Sequence, residues 1–180
     1  MAFNEEVIFA GFGGQGVLSM GKMLSYAGMM KGKNVSWLPS YGPEMRGGTA
    51  NCSVIVSDDL IGSPVVTEAD TLIAMNRPSL DKFENFVRPG GTILVNSSLI
   101  EQKVKRDDVT VYYFPVNEVA TDCGSAKAAN MVMLGAYVKL KGFPTEADLL
   151  SAFLKVFGEG KKKLLPLNEK AVAAGANLVK

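Results

Sequence analysis

A glycine-rich segment near the start of the chain has the residue types and spacing of a phosphate-binding turn. Its glycines satisfy the G-x-G-x-x-G pattern, and the segment reads Gly11-Phe12-Gly13-Gly14-Gln15-Gly16. It follows an apolar run at residues 7–10 and precedes a stretch with helical spacing of apolar residues. Because the first amides of a helix point outward without partners, they can hold a phosphate or another anion. The segment therefore predicts an anion site built from the main chain.

One partner that a dinucleotide site needs is missing from the sequence. In such sites an acidic residue at the end of the second strand, about 20 residues further on, binds the ribose hydroxyls. Here that strand ends in Leu38 and Pro39, and the first acid is Glu44 in the following loop. NAD or FAD binding is therefore disfavoured. Two interpretations remain open: a tight turn that only packs, and a contact with a partner subunit or its ligand.

The loop that follows carries a second group of candidate binding residues. Arg46 can hold a carboxylate or a phosphate with two parallel hydrogen bonds, and an ion pair with Glu44 is the alternative. Gly47 and Gly48 permit a close backbone approach that side chains would block. The candidate cofactor-binding or subunit-contact residues are Gly11, Gly13, Gly14, Gln15, Gly16, Tyr41, Glu44, Arg46, Gly47 and Gly48.

Other reactive residue types are scarce. The chain has no histidine, which removes the commonest general base and metal ligand. Cys52 and Cys123 are far apart in sequence and belong to no CxxC or Cys/His cluster, so this chain alone builds no zinc or iron–sulfur site. We expect Cys52 to be buried in a strand and Cys123 to lie in a loop before a helix. No catalytic residue and no metal ligand is assigned.

Composition indicates one globular domain over residues 1–180. Hydrophobic residues make up 47% and charged residues 21% of the chain, and the formal net charge is +1. This balance gives no basic face for nucleic acid. No apolar run approaches the roughly 20 residues that a transmembrane helix needs, so no membrane partner is expected. Unpaired cysteines fit a cytoplasmic location.

Hydrophobic periodicity then predicts the elements that position the candidate residues. Apolar runs and alternating patterns indicate strands at residues 7–10, 35–38, 51–57, 71–75, 92–95 and 109–114. Helical spacing indicates helices from residue 17 to about 30, at 78–87, 126–141 and 145–157, with Thr145 as N-cap, and at 167–178. Strands that alternate with helices form βαβ units. The expected fold is a three-layer α/β/α sandwich with a mostly parallel sheet, a Rossmann-like start and a helical C-terminal part.

Two motifs at a fixed separation resemble a known family. The segment Gly11-Phe12-Gly13-Gly14-Gln15-Gly16, followed by Tyr41-Gly42-Pro43-Glu44-Met45-Arg46-Gly47-Gly48, resembles the γ subunit or γ domain of the pyruvate/2-oxoglutarate:ferredoxin oxidoreductase family. Asn76-Arg77-Pro78 after one strand and Asn96 at the end of the next agree with it. The resemblance covers nearly the whole chain.

The resemblance implies a subunit of a hetero-oligomeric enzyme of anaerobic metabolism. Such enzymes oxidatively decarboxylate a 2-oxoacid, here 2-oxoglutarate or pyruvate, with coenzyme A (CoA), and give acyl-CoA, carbon dioxide and reduced ferredoxin. Thiamine diphosphate, Mg and the Fe–S clusters are expected on α, β and ferredoxin-like δ partners, and this chain is expected to carry none of them. Two alternatives stay open: a free-standing dinucleotide-binding oxidoreductase, and an indolepyruvate:ferredoxin oxidoreductase subunit.

Overall fold

The computed structural model describes residues 2–40 and 49–180, and it contains one six-stranded sheet in the order β2-β3-β1-β4-β5-β6. The strands are β1 (Asn4–Phe12), β2 (Asn34–Ser40), β3 (Thr49–Ser57), β4 (Ala69–Ala74), β5 (Val87–Asn96) and β6 (Thr110–Phe114). Strands β1, β4, β5 and β6 are parallel, whereas β3 runs antiparallel to both of its neighbours. The predicted mostly parallel α/β sheet is therefore confirmed.

The position of β2 differs from a simple βαβ unit. It runs parallel to β1, as the pattern predicts, but β3 lies between the two strands. The side chains explain this order. Val54 and Ile55 of β3 point to opposite faces and are both buried, so β3 suits the interior of the sheet. Pro39 of β2 cannot donate a ladder hydrogen bond, which restricts such a strand to the edge.

Helices cover the two faces unequally. They are α1 (Val17–Met30), α2 (Arg77–Phe83), α3 (Val116–Cys123), α4 (Ala129–Lys141), α5 (Glu146–Phe157) and α6 (Leu165–Asn177). Apolar residues of α1 and α3–α6 belong to one hydrophobic cluster with Val7 and Phe9 of β1. Leu80 and Phe83 of α2 pack on the opposite face with Ile8. The predicted helical C-terminal part is thus confirmed. Its helices α3–α6 pack with α1 on one face of the sheet, whereas α2 packs on the other.

The helices differ from the sequence prediction in several places. Residues 126–128 form a 3₁₀ turn before α4, and α6 begins two residues earlier than predicted. The helix expected at 78–87 ends at Phe83, and a 3₁₀ turn, Glu84–Phe86, connects it to β5. Helix α3 was not predicted, and its short apolar stripe, Val116 and Ala120, is too brief for a clear periodicity. Cys123 therefore ends a helix instead of lying in a loop. By contrast, Thr145 caps α5 as predicted.

Helices α4 and α6 cross at unusually close range. A Cβ at Gly135 would lie 2.0 Å from Val172 O, and a Cβ at Gly175 would lie 1.8 Å from Val132 O. Glycine at both positions lets the two backbones touch. Within the described residues, no helix is both long and apolar enough to cross a membrane.

Candidate functional site

The glycine turn lies where the chain switches from one face of the sheet to the other. Strand β1 leads into α1 on one face, and the neighbouring β4 leads into α2 on the opposite face. In parallel α/β sheets, ligands bind in the crevice that opens at such a switch point, beyond the carboxyl ends of the strands. The crevice between the ends of β1 and β4 is therefore the candidate site.

Gln15 connects the two sides of this crevice. Its Oε1 accepts a hydrogen bond from Phe12 N at 2.6 Å, and its Nε2 donates to Met75 O at 3.1 Å. The main chain closes the turn with a 3.1 Å hydrogen bond from Gln15 N to Phe12 O. Because one side chain satisfies groups on both strands, the shape of the turn is fixed before any ligand arrives.

Three asparagines extend this amide network along the edge of the sheet. Asn76 caps α2 by accepting from Ser79 N at 2.9 Å. Asn96 Nδ2 donates to Met75 O at 3.2 Å and to Asn117 Oδ1 at 3.0 Å. Asn76 and Asn96 are buried. Amides do not titrate, so the floor of the crevice keeps the same hydrogen-bonding pattern over a wide pH range.

The other wall of the crevice comes from the start of α4. Gly16 has a φ of 74°, and a Cβ there would lie 2.5 Å from Asn130 Nδ2. Both the left-handed backbone and the close approach require glycine at this position. The result is a cavity of about 220 Å³, whose lining residues are Gly14, Gln15, Met75, Asn117, Ala126, Lys127, Ala129 and Asn130.

The chemistry of this lining suits binding of an anion. Lys127 supplies the one charge among the lining residues, and the other polar groups are amides and main-chain atoms. A cluster of three or more His, Cys, Asp or Glu side chains that could hold a metal is not found in residues 2–40 and 49–180. The arrangement can hold and orient a negatively charged group beside the turn.

A second cavity, of about 200 Å³, lies on the other side of the same turn. It is lined by Phe12, Gly13, Gly14, Gly16, Val17, Leu18, Ser19 and Ala50. Phe12 is 39% exposed although it is a large apolar residue. At the sheet's edge strand, Leu38 is 41% exposed. Phe12 and Leu38 lie at the same end of the sheet as the crevice. Exposed apolar side chains of this kind are often covered by a protein partner.

The structure argues against a dinucleotide site. The end of β2 carries no acid in the described residues, and β3 separates β2 from β1. One intervening strand moves the end of β2 away from the glycine turn by about 5 Å more than in a sheet where the two strands are neighbours. A ribose bound beside the turn would therefore not meet a side chain from β2.

The ten candidate residues are only partly placed. Gly14 and Gln15 line the crevice, and Gly13, Gly14 and Gly16 line the cavity on the other side of the turn. Gly11 belongs to β1 and lines neither space, and a Cβ there would lie 2.7 Å from Gln15 Oε1. Tyr41, Glu44, Arg46, Gly47 and Gly48 lie outside the described residues.

Sequence reasoning missed five residues of the site as functional candidates: Asn76, Asn96, Asn117, Lys127 and Asn130. A signal existed for Asn76, since a polar amide directly after a buried strand lies at the carboxyl edge of the sheet.

The two cysteines have no role in this site. Cys52 is fully buried, as predicted, and burial raises the pKa of its thiol to about 12. A thiol in that state is a poor nucleophile at neutral pH. Cys123 is half-buried, and its Sγ lies 3.9 Å from Lys170 O.

Several known proteins are similar in sequence to this chain over most of its length. Subunit VorA of ketoisovalerate oxidoreductase from Methanothermobacter marburgensis is 40% identical over 96% of this chain. Subunit KorC of 2-oxoglutarate synthase from Methanocaldococcus jannaschii is 32% identical over 92% of this chain and 91% of its own length. Subunit IorB of indolepyruvate oxidoreductase from Archaeoglobus fulgidus is 26% identical over 96% of this chain and 94% of its own length. The chain spans about a third, 36%, of the VorA subunit.

Solved structures agree with the fold. The γ subunit of a keto/oxoacid ferredoxin oxidoreductase from Geobacter sulfurreducens superposes with a TM-score of 0.82 at 31% identity, over 96% of both chains. The 2-oxoglutarate:ferredoxin oxidoreductase from Magnetococcus marinus, with 2-oxoglutarate, coenzyme A and succinyl-CoA bound, gives 0.87 at 23% identity over 98% of this chain and 32% of that one. The second likeness shows the fold alone.

The family model for pyruvate ferredoxin/flavodoxin oxidoreductase matches residues 6–178. This span includes the glycine turn, all of its amide partners and the helices that form the walls of the crevice. The chain belongs to the pyruvate ferredoxin/flavodoxin oxidoreductase family.

Proposed function

We propose that this chain is the γ subunit of a multi-subunit 2-oxoacid:ferredoxin oxidoreductase, in which it binds and orients but does not itself catalyse. One observation carries the proposal: within the described residues, the switch-point crevice is lined by amide and apolar side chains, main chain and one lysine. Such a lining suits an anion and contains no histidine, aspartate or glutamate, which are the commonest general bases. The full sequence also contains no histidine. The family membership and the KorC and VorA relatives support the same conclusion.

The chemistry would therefore come from partner subunits in the cytoplasm. We propose α and β subunits and a ferredoxin-like δ subunit as partners, with thiamine diphosphate, Mg and the Fe–S clusters on those chains and ferredoxin reached through the complex. The exposed Phe12 and Leu38 support a partner at the crevice edge. Covering them would remove apolar surface from water and would close the mouth of the crevice.

For the crevice itself, we propose the phosphates of CoA as ligand. The glycine turn offers main-chain N–H groups, and Lys127 adds a positive charge beside them. Tyr41, Glu44, Arg46, Gly47 and Gly48 are proposed as further CoA or subunit contacts, on the sequence argument alone. In this arrangement the chain would hold one end of CoA, while the thiol end reaches a partner subunit.

The substrate is proposed as a 2-oxoacid, and we expect 2-oxoglutarate or pyruvate. The KorC relative acts in 2-oxoglutarate synthase and the VorA relative in ketoisovalerate oxidoreductase. Indolepyruvate remains the alternative, supported by IorB at lower identity. No side chain in the described crevice selects among these acids.

An affinity purification tests the assembly. The tagged chain is recovered from its native cells without oxygen, and co-purifying proteins are identified by mass spectrometry. CoA-dependent dye reduction is then measured with 2-oxoglutarate, pyruvate, ketoisovalerate and indolepyruvate in turn. We expect thiamine- and cluster-bearing subunits and activity with one acid. Recovery of the chain alone with bound NAD or FAD would favour the free-standing oxidoreductase instead.

A matched pair of variants tests the CoA contact. In the purified complex, Arg46→Ala is expected to raise the KM for CoA about tenfold, because a charge-assisted hydrogen bond to phosphate contributes about 1.5–3 kcal/mol. Lys105→Ala removes the same charge from an exposed position and is expected to leave that KM unchanged. Equal KM values for the two variants would remove Arg46 from the proposed site.

A further inference from the structure

A separate cavity lies within the helical layer, between α1, α4, α5 and α6. Its volume is about 340 Å³, and it opens beside Gly16 and Ser19 of the first turn of α1. This volume is within the range of small-molecule sites, about 300–1,000 Å³. It shares Lys127 and Asn130 with the crevice, so the two spaces adjoin at the start of α4. The proposed function places the CoA phosphates in the crevice and assigns no ligand to this cavity.

One wall of the cavity is aromatic and aliphatic. The rings of Phe153 and Phe157 lie 4.8 Å apart between centroids, tilted by 40°. Leu164 and Leu167 extend the apolar wall toward α6. Phe153 is buried and Phe157 is partly exposed, so Phe157 and the two leucines offer the apolar surface on which a planar ring can pack.

The polar part of the cavity is positively charged and has no acidic counterpart. Lys127 and Lys161 line it, and no carboxylate is among the lining residues of the described chain. Neither lysine lies within ion-pair distance of an acid in residues 2–40 and 49–180. A cavity with two lysines and no acid favours an anionic ligand.

Amide groups between these two regions suit the edge of a heterocycle. Asn168 Nδ2 donates to Leu164 O at 2.8 Å, which leaves the Asn168 Oδ1 free to accept from a ligand. Asn130 lines the same space from α4. A ring with hydrogen-bonding edges would thus find partners that a plain hydrocarbon would leave unsatisfied.

From these features we infer that the cavity binds a nucleoside phosphate, with the heterocycle against Phe157 and the adjoining leucines and the phosphate toward Lys127 and Lys161. Two sources have this chemistry: the adenosine 3′,5′-phosphate end of CoA, and a free nucleotide that acts as an effector. The CoA source rests on the proposed function, because only that function makes CoA a ligand of this chain. A free nucleotide effector does not depend on the proposed function.

Calorimetric titration of the full chain alone tests the inference. The probes are adenosine 3′,5′-bisphosphate, 5′-AMP and ribose 5-phosphate, which has the anion without the heterocycle. We expect saturable binding of at least one nucleotide and none of ribose 5-phosphate. Failure of both nucleotides to bind up to about 1 mM, or binding of ribose 5-phosphate as tight as that of the nucleotides, would overturn the inference.

Variants then locate the binding. Lys161→Gln and Phe157→Leu are each expected to weaken nucleotide binding about five- to tenfold, in line with one charge-assisted contact or one stacking contact. Lys163→Gln changes the net charge equally but lies outside the cavity, and it should have no effect. Equal weakening by Lys161→Gln and Lys163→Gln would indicate non-specific attraction and reject the site. Lys127→Gln provides a second test if Phe157→Leu lowers the Tm.

The same titrations separate the two sources. Tight binding of CoA and the bisphosphate with 5′-AMP at least about tenfold weaker would assign the cavity to the coenzyme, since the 3′-phosphate distinguishes them. Equal binding of 5′-AMP would assign it to a free effector. Both outcomes support a nucleoside phosphate site. Because the readout is binding to this chain, it is independent of whether the 2-oxoacid:ferredoxin oxidoreductase complex is recovered.

Discussion

At the scale of single residues, Gln15 has the most constrained position in the crevice. It satisfies Phe12 N on one strand and Met75 O beyond the next. Removing the Gln15 side chain leaves Phe12 N without its partner and removes one of the two side-chain donors to Met75 O, the other being Asn96 Nδ2. An unsatisfied main-chain group costs more free energy than its hydrogen bond contributes. Gln15 thus stabilises the turn in its binding conformation and does not need to contact the ligand.

Gln15→Leu is expected to lower the free energy of unfolding by about 1–3 kcal/mol, because Phe12 N loses its side-chain partner and Met75 O keeps only Asn96 Nδ2. Urea denaturation followed by circular dichroism measures this change. Gln102→Leu is the control, since its side chain has no hydrogen bond within the described part of the chain. A loss for Gln15→Leu no greater than for Gln102→Leu would show that the turn keeps its shape without this side chain.

At the scale of elements, the start of α5 depends on ionisation. Burial of Asp148 opposes its charge, but hydrogen bonds from the Thr145 N–H and hydroxyl, together with Lys31, outweigh it and hold the pKa of Asp148 below its ordinary value. The Thr145 contacts are 2.9 and 2.7 Å, and Lys31 Nζ lies 3.1 Å from Oδ1. This one carboxylate therefore caps α5 and connects it to the end of α1.

A carboxylate whose pKa is lowered in the folded state stabilises the fold above its unfolded pKa of about 3.9, and this contribution is lost as the pH falls through the lower folded value. Asp148→Asn should thus cost about 1 kcal/mol at neutral pH and show a smaller fall in Tm between neutral and acidic buffer than the wild type. Asp107→Asn, at an exposed site without an ion pair in the described chain, is the control. Parallel Tm curves for wild type and Asp148→Asn would contradict this account.

At the scale of the whole molecule, the two hydrophobic clusters share the same strands. Phe9 faces the helical cluster and Ile8 faces the cluster under α2, so neither cluster can lose its packing without disturbing β1. That residues 1–180 form one domain stays a prediction, and joint unfolding of the two faces tests it. Trp37, the single tryptophan, packs on the helical side and reports on that face alone.

Phe83→Ala, on the face opposite Trp37, is expected to lower stability by about 3–5 kcal/mol, as is usual for a buried phenylalanine. Because both faces unfold together, the midpoint from Trp37 fluorescence should shift as far as the midpoint from circular dichroism. Leu60→Ala, at a 91% exposed position, should shift neither. A fluorescence midpoint that stays in place for Phe83→Ala would indicate two separately unfolding units.

The sequence by itself determined the elements with strong local signals. Apolar runs identified all six strands, and the threonine before α5 identified its cap. The glycine turn was also found, because its spacing and its place between a strand and a helix are local properties. Helix α3 was missed, since its apolar stripe is too short to show a period.

Only the tertiary structure decided which strands are neighbours and which side chains converge. The insertion of β3 between β1 and β2 depends on pairing between segments far apart in the chain, and no local pattern encodes that choice. For the same reason, the sequence could not bring Gln15, Asn117 and Asn130 to one crevice, nor Phe157 and Lys127 to one cavity. Each residue's type is local information, whereas its distance from another residue is set by the packing of whole elements.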